Sequence, residues 1–167
     1  MTTTQRSAIL SQPDIKRRMR RMALEVAERN TEEKSLVVAG VEGNGMVVAR
    51  KLIDELAQVL NIDIQLATIR LDKKNPVAAT IEGDVEITGK NILVVDDVAD
   101  TGRTLLFALK PFLDRMPKTI QTLVLVERSH KLFPVTSDFV GLSLSTTLQD
   151  HIQVDTEGDE ISGAYLE

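Results

Sequence analysis

Residues 91–105 read NILVVDDVADTGRTL. The run from Asn91 to Val95 is short, apolar and β-branched, the pattern of a strand buried on both faces. It leads directly into two adjacent carboxylates, Asp96 and Asp97, then through Asp100, Thr101 and Gly102 into a helical segment. In open parallel sheets, ligands bind beyond the carboxyl ends of the strands, and the acidic pair stands at such an end. Neighbouring carboxylates repel unless hydroxyls, a cation or hydrogen-bond donors compensate. A turn with free N–H groups, a glycine and the two threonines Thr101 and Thr104 favours an anion. Acceptors suited to ribose hydroxyls thus lie a few residues from donors suited to a phosphate. A sugar phosphate satisfies both halves; the alternative is that the aspartates cap a loop and Thr101 starts a helix.

Outward from this stretch, strands and helices alternate. Leu36–Gly40 (LVVAG) is a second buried strand, followed by Gly43-Asn44-Gly45 and a helix over 46–60. Residues 62–69 form a strand. The segment 70–90, with Pro76, Gly83 and Gly89, reads as a mobile loop with a hairpin in it. A helix over 101–116 is interrupted at Pro111. Strands over 119–127 and 138–144 follow, and the tail mixes short extended pieces with turns. Upstream, Ser11 and Asp14 have capping-box spacing, and Ile15, Met19, Met22 and Val26 recur at helical period to about Asn30. The fold class is α/β: a central parallel sheet of about five strands flanked by helices. A single domain spans 1–167, with a core at about 31–143. The N-terminal segment and 144–167 form a small C-terminal hood, and the 70–90 segment is a mobile flap.

Composition removes several classes. With 167 residues, 43% hydrophobic and 27% charged, the chain is an ordinary globular length and mixture. The absence of cysteine excludes disulfides and thiolate metal centres. The longest stretch without a charge, Phe139 to Gln149, is eleven residues, short of the ~20 that span a bilayer. No export signal is visible in MTTTQRSAILSQPD, so a cytoplasmic location is expected. The net charge is −5, yet Lys16, Arg17, Arg18, Arg20 and Arg21 place five positives in six positions. That run reads as a solvated face or subunit contact in preference to an RNA site, because aromatic residues are scarce. Gly43–Val48 superficially suggests a dinucleotide fingerprint but carries valine at its last position. His130 and His151 lack metal-ligand spacing and read as polar loop residues.

VVDDVADTGRTL resembles the signature of the type I phosphoribosyltransferases, which bind phosphoribosyl pyrophosphate (PRPP). The helix ending in ERN, the strand with GVEGNG and the segment LVLVERSHKLFPVTSDFVG are similar to one branch of that family, the pyrimidine-operon attenuator/uracil phosphoribosyltransferases. The resemblance implies transfer of ribose phosphate from PRPP to a free nucleobase with release of pyrophosphate. It also implies a Mg²⁺ cofactor, a homo-oligomer and an RNA partner as further expectations. Asp96 and Asp97 would hold the ribose hydroxyls and help place magnesium. Asp100, Thr101, Gly102, Arg103 and Thr104 would cradle the phosphate, with Asp100 also a candidate catalytic acid or base. Gly43, Asn44 and Gly45 would shape a pyrophosphate loop, often with a cis peptide in this family. Arg70, Lys73 and Lys74 would sit on the flap, and Glu127 and Leu148 in the base pocket, while Phe139 packs in the core.

The chain departs from the family pattern at three places. Glu42 and Asn44 stand where close relatives carry lysine and arginine. Asp100 replaces the tyrosine usual in the attenuator branch and looks instead like the hypoxanthine–guanine–xanthine enzymes. Glu127 replaces the lysine those purine enzymes carry. Uracil is the first-choice base and a 6-oxopurine the second; the rival reading, motivated by Glu42, Asn44 and the Lys16–Arg21 run, is a weakly active or inactive nucleotide-sensing, RNA-binding regulator of pyrimidine genes.

Overall fold

The structure is a computed structural model that describes residues 5–147 and 149–167. Leu148 lies outside the described residues. The central sheet contains the five parallel strands β2 (Ser35–Val41), β3 (Asp63–Asp72), β5 (Asn91–Ala99), β6 (Thr119–Arg128) and β7 (Phe139–Leu144). A sixth strand, β4 (Asn75–Glu82), pairs antiparallel with β3, giving the order β4-β3-β2-β5-β6-β7. The sheet is therefore mixed at one edge. Much of the segment expected as a loop is strand, because β3 continues to Asp72 and turns back on itself with Ile69 opposite Ile81.

Alternation along the strands divides the core into two layers. Leu93 and Val95 of β5 face α1 (Gln12–Glu28) and α2 (Asn44–Val59), packing with Val38, Leu52, Met22 and Val26. Ile92 and Val94 face the opposite side, where Leu105 and Ala108 of α3 (Arg103–Leu109) and Phe112 just beyond its end cover them. α3 is shorter than the sequence suggests. Pro111 cannot donate to the helical ladder, and a single 3₁₀ turn over Lys110–Phe112 replaces the next turn. The capping box of α1 forms as the spacing predicts: Asp14 N–H donates to Ser11 Oγ at 3.3 Å and Ser11 N–H to Asp14 Oδ2 at 3.0 Å.

The tail is more regular than its sequence reads. β8 (Ile152–Glu157) and β9 (Glu160–Leu166) form an antiparallel hairpin, and β1 (Ser7–Leu10) joins it in the order β1-β9-β8. This second sheet caps the carboxyl side of the central one. Arg6 fastens the N-terminal strand, bonded to Asp155 at 2.7 Å and Glu167 at 2.8 Å and lying over the Tyr165 ring.

The basic run on α1 is largely engaged within the fold. Arg18 donates to the Gly141 carbonyl at 2.6 Å, and Arg21 donates to the Val140 and Gly141 carbonyls, each at 2.9 Å. These bonds cover the outer edge of β7, where unpaired strand groups would invite another chain. Arg20 meets Glu55 at 3.3 Å and Arg17 pairs with Asp14. Among the described residues, no helix is long and apolar enough to cross a membrane.

A buried polar chain fixes the amino end of the central strands. Thr119 Oγ1 donates to Asn91 Oδ1 at 2.8 Å, Asn91 Nδ2 to Asn30 Oδ1 at 3.1 Å, and Asn30 Nδ2 to the Val26 carbonyl at 2.8 Å. Truncation of the middle member strands a buried acceptor on Asn30 and leaves Thr119 without its partner. Asn91→Ala is expected to lower stability by about 1–3 kcal/mol, read as a fall in the midpoint of urea denaturation with an unchanged slope.

Candidate functional site

A cavity of about 300 Å³ lies between the carboxyl end of β5 and the hood strand β8. Asp96, Asp97, Asp100, Thr101, Gly102 and Thr104 line one wall, and Lys73 reaches in from the β3–β4 hairpin. The acidic pair, the polar turn and one flap cation thus converge, as the sequence suggests. The opposite wall is His151, Ile152, Gln153 and Val154. Sequence reasoning did not single these out as a site: His151 read as a loop residue, and no spacing ties the tail to a strand some fifty residues earlier.

The two aspartates differ. Asp96 is 1% exposed, with Oδ1 accepting the Asp97 N–H at 2.8 Å and Lys73 Nζ standing 3.9 Å away as a counter-charge. Burial pushes its carboxyl well above the usual range, the adjacent Asp97 charge adds to the push, and Lys73 opposes it. Asp97 is better supplied: Val98 N–H donates to Oδ1 at 2.8 Å and Asn44 Nδ2 to Oδ2 at 3.1 Å.

The predicted pyrophosphate loop abuts this pair from behind. Gly43, with φ +91°, turns the chain from β2 into α2 in a conformation that side chains rarely adopt. A side chain at Gly45 would come within 3.0 Å of Asp96 Oδ1. Asn44 bridges three elements: Nδ2 also donates to the Val154 carbonyl at 2.9 Å, and Thr156 Oγ1 donates to Asn44 Oδ1 at 3.1 Å. All peptide bonds among the described residues are trans, so the cis peptide implied by the resemblance does not occur in this loop. Gly43 supplies the sharp turn instead. Glu42 faces Arg70 at 3.6 Å, and Arg70 also binds Glu82 at 2.8 Å. Arg70 is therefore held on the outer face of the hairpin. Lys74 and Arg103 are likewise exposed and outside the cavity lining.

The turn over 100–104 has its own supports. Leu132 N–H and Phe133 N–H both donate to the Thr101 carbonyl at 3.0 Å, and Arg103 N–H donates to Thr101 Oγ1 at 3.2 Å. Gly102, at φ +85°, lies under Val135, whose Cγ1 would stand 2.7 Å from a side-chain carbon there. Asp100 bonds to Arg128 Nε at 2.5 Å. Glu127, expected near the base, is buried away from the cavity, where it accepts from Ser137 N–H and pairs with Lys131, both at 3.0 Å.

Comparison with known proteins places this geometry. Residues 5–160 match the family profile described as phosphoribosyl transferase domain. The chain is 33% identical over 159 residues to the bifunctional protein PyrR of Actinobacillus pleuropneumoniae, covering 89% of each. Among solved structures, a hypoxanthine-guanine phosphoribosyltransferase from Bacillus anthracis superposes with a TM-score of 0.70 at 26% identity, covering 83% of this chain and 82% of that one. The hypoxanthine phosphoribosyltransferase of Trypanosoma cruzi shares the fold, with a TM-score of 0.77 at 18% identity over 94% of this chain and 95% of that one.

The strained protonation of Asp96 has a measurable consequence. A carboxyl whose folded pKa lies above its unfolded value binds more protons in the native state, so stability falls as pH rises from the unfolded pKa through the folded one. Asp96→Asn removes the ionisable group without changing its shape. The ligand-free variant is expected to melt higher than the parent at neutral pH, on the order of 3 °C if ~1 kcal/mol is relieved, with the difference vanishing toward pH 3.

Proposed function

The chain belongs to the phosphoribosyl transferase domain family, and from that premise we propose that it transfers ribose 5-phosphate from PRPP to free uracil, releasing pyrophosphate. It is a phosphoribosyltransferase, an enzyme of the pentosyl-transfer class. The observation that carries the fuller reading is the convergence of Asp96, Asp97 and the 100–104 turn on one cavity wall, facing a hood.

In this reading, a ring nitrogen of the base forms the new bond to the anomeric carbon as the bond to pyrophosphate oxygen breaks. Asp96 and Asp97 accept hydrogen bonds from the ribose hydroxyls, and Thr101, Gly102 and Thr104 turn donors toward the phosphate. The acidic pair offers the oxygen ligands that a hard divalent cation prefers. Among the described residues no three acidic or histidine side chains form a full cage, so magnesium would complete its shell with water and oxygens of PRPP. Bound there, Mg²⁺ supplies neutralisation of the charge that develops on pyrophosphate. The protein's own part is alignment and preorganised polarity, with Lys73 the flap residue nearest the reacting groups. Glu42 lies beside Arg70, an arrangement that offsets its charge near the pyrophosphate loop.

Uracil is preferred because the segments quoted above resemble the attenuator/uracil branch and because the relative at 33% identity is a PyrR protein. The commitment of Asp100 to Arg128 and of Glu127 to Lys131 weakens the purine alternative. Two observations keep a 6-oxopurine as the second reading: aspartate at position 100, and the 26% identity to the hypoxanthine-guanine enzyme. The relative's being bifunctional motivates a further, RNA-directed activity, for which Lys16 and Arg17 are exposed cations of the basic run.

A panel of free bases with PRPP and Mg²⁺ tests the reaction: pyrophosphate release is expected with uracil first, and release with none of the bases rejects the proposal. Asp96→Asn combined with Asp97→Asn should keep the fold by circular dichroism while losing about 100-fold or more in PRPP affinity, as expected for two charge-assisted hydrogen bonds. Undiminished affinity in that variant would remove the acidic pair from the ribose site.

A further inference from the structure

Asn44 is the first residue of α2 and stands in the loop expected to meet pyrophosphate, yet it does not line the cavity. Its amide is engaged at both ends. Nδ2 donates to Asp97 Oδ2 at 3.1 Å and to the Val154 carbonyl at 2.9 Å, and Oδ1 accepts from Thr156 Oγ1 at 3.1 Å. The amide can face only one way, because a carboxylate and a carbonyl have no proton to give and the hydroxyl has one. Both of its N–H donors are therefore spent within the protein, and none is left for a phosphoryl oxygen.

The group this amide holds is an acceptor of the cavity wall. Asp97 is 8% exposed and lines the cavity; Oδ1 accepts the Val98 N–H at 2.8 Å and Oδ2 accepts from Asn44. The first bond is local to β5 and fixes one oxygen. The second fixes the other oxygen, and with it the plane of the carboxylate. Val154 and Thr156 in turn hold Asn44 from β8, where the β8–β9 ladder slips by one residue, Asp155 standing opposite Gly163 and Thr156 opposite Ile161. Bulges of this kind re-aim side chains beside functional sites. The hood wall has other supports: the β8–β9 ladder, the paired bonds between His151 and Glu167, and the packing of Ile152 and Val154 in the core. The phosphate turn is held separately, through the Thr101 carbonyl and Thr101 Oγ1. Loss of the amide therefore frees Asp97 while both walls of the cavity stand.

We propose that Asn44 is a positioning residue for the ribose: it aims the Asp97 carboxylate at the sugar hydroxyls, takes its own orientation from Thr156 of the hood, and makes no side-chain contact with pyrophosphate. This rests on the phosphoribosyltransferase reading and deepens it. The grip on the sugar then answers to two residues, Asn44 and Thr156, that lie outside the cavity lining.

The test uses the full chain and two probes, PRPP and ribose 5-phosphate, each titrated by calorimetry with Mg²⁺ present. Ribose 5-phosphate carries the sugar and its phosphate but no pyrophosphate. Asn44→Ala is expected to raise both dissociation constants by the same factor, about tenfold. Thr156→Val keeps the branched shape, removes the donor to Asn44 Oδ1 and should raise both about threefold. In an Asp97→Ala background, Asn44→Ala should weaken PRPP no further, because the amide acts through that carboxylate; a general loosening of the site would still be felt there. If Asn44→Ala does not fold, Thr156→Val carries the test with the same two probes. Weaker PRPP binding with ribose 5-phosphate unchanged would make Asn44 a pyrophosphate contact and overturn the proposal. Unchanged PRPP affinity in a folded variant would overturn it too, as would losses that multiply in the Asp97→Ala background. A parent chain that binds neither probe would instead defeat the phosphoribosyltransferase reading of the site, a separate result.

Discussion

A carboxylate at 1% exposure beside a second one is an unfavourable thing to build, and much of the site is arranged around it. β5 is central, flanked by β2 and β6, so its carboxyl end is enclosed on both sides. Asp96 enters the cavity with the sheet's rigidity behind it, and glycine at position 45 lets α2 approach within contact of it. The local compensation is partial: one backbone N–H and a lysine 3.9 Å away. A partly compensated acceptor gains most from a ligand that brings hydroxyls or a cation, as the proposed substrate would.

Two polar ties connect core and hood across that cavity. Asn44 joins the α2 start to Asp97 and to β8, and Arg128 joins β6 and Asp100 to the turn before β8. They differ in kind. Asn44 is neutral and part-buried, so its bonds set geometry at little desolvation cost. Arg128 is charged and buried, so each of its acceptors is needed, and its arrangement is correspondingly stiff. The flap contributes differently, since Arg70 is held between Glu42 and Glu82 on an exposed face where ion pairs are weak, and Lys73 alone faces inward.

The βα unit around Asn91–Leu105 was legible because its chemistry is local: an apolar run, a pair of acids and a glycine turn occupy consecutive positions, and their order in a parallel sheet fixes where they point. The same holds for the capping box at Ser11 and Asp14 and for the break at Pro111. The hairpin over 70–82 was half-legible, since its strand pairs with a neighbour whose length only the sheet fixes. The hood was legible as a region and not as a sheet, because β1 and β9 are at opposite ends of the chain and neither alternates strongly alone.

Sequence by itself determined the α/β class and the family resemblance, both of which are carried by short contiguous segments. Tertiary structure alone decided that His151 to Val154 face Asp96, that Glu42 points to Arg70, that Glu127 is turned to Lys131 and that Arg128 is buried beneath the hood. Those facts depend on which distant residues meet in space. A buried charge or amide is directed by its partners' positions, and a linear string of residue types does not contain them.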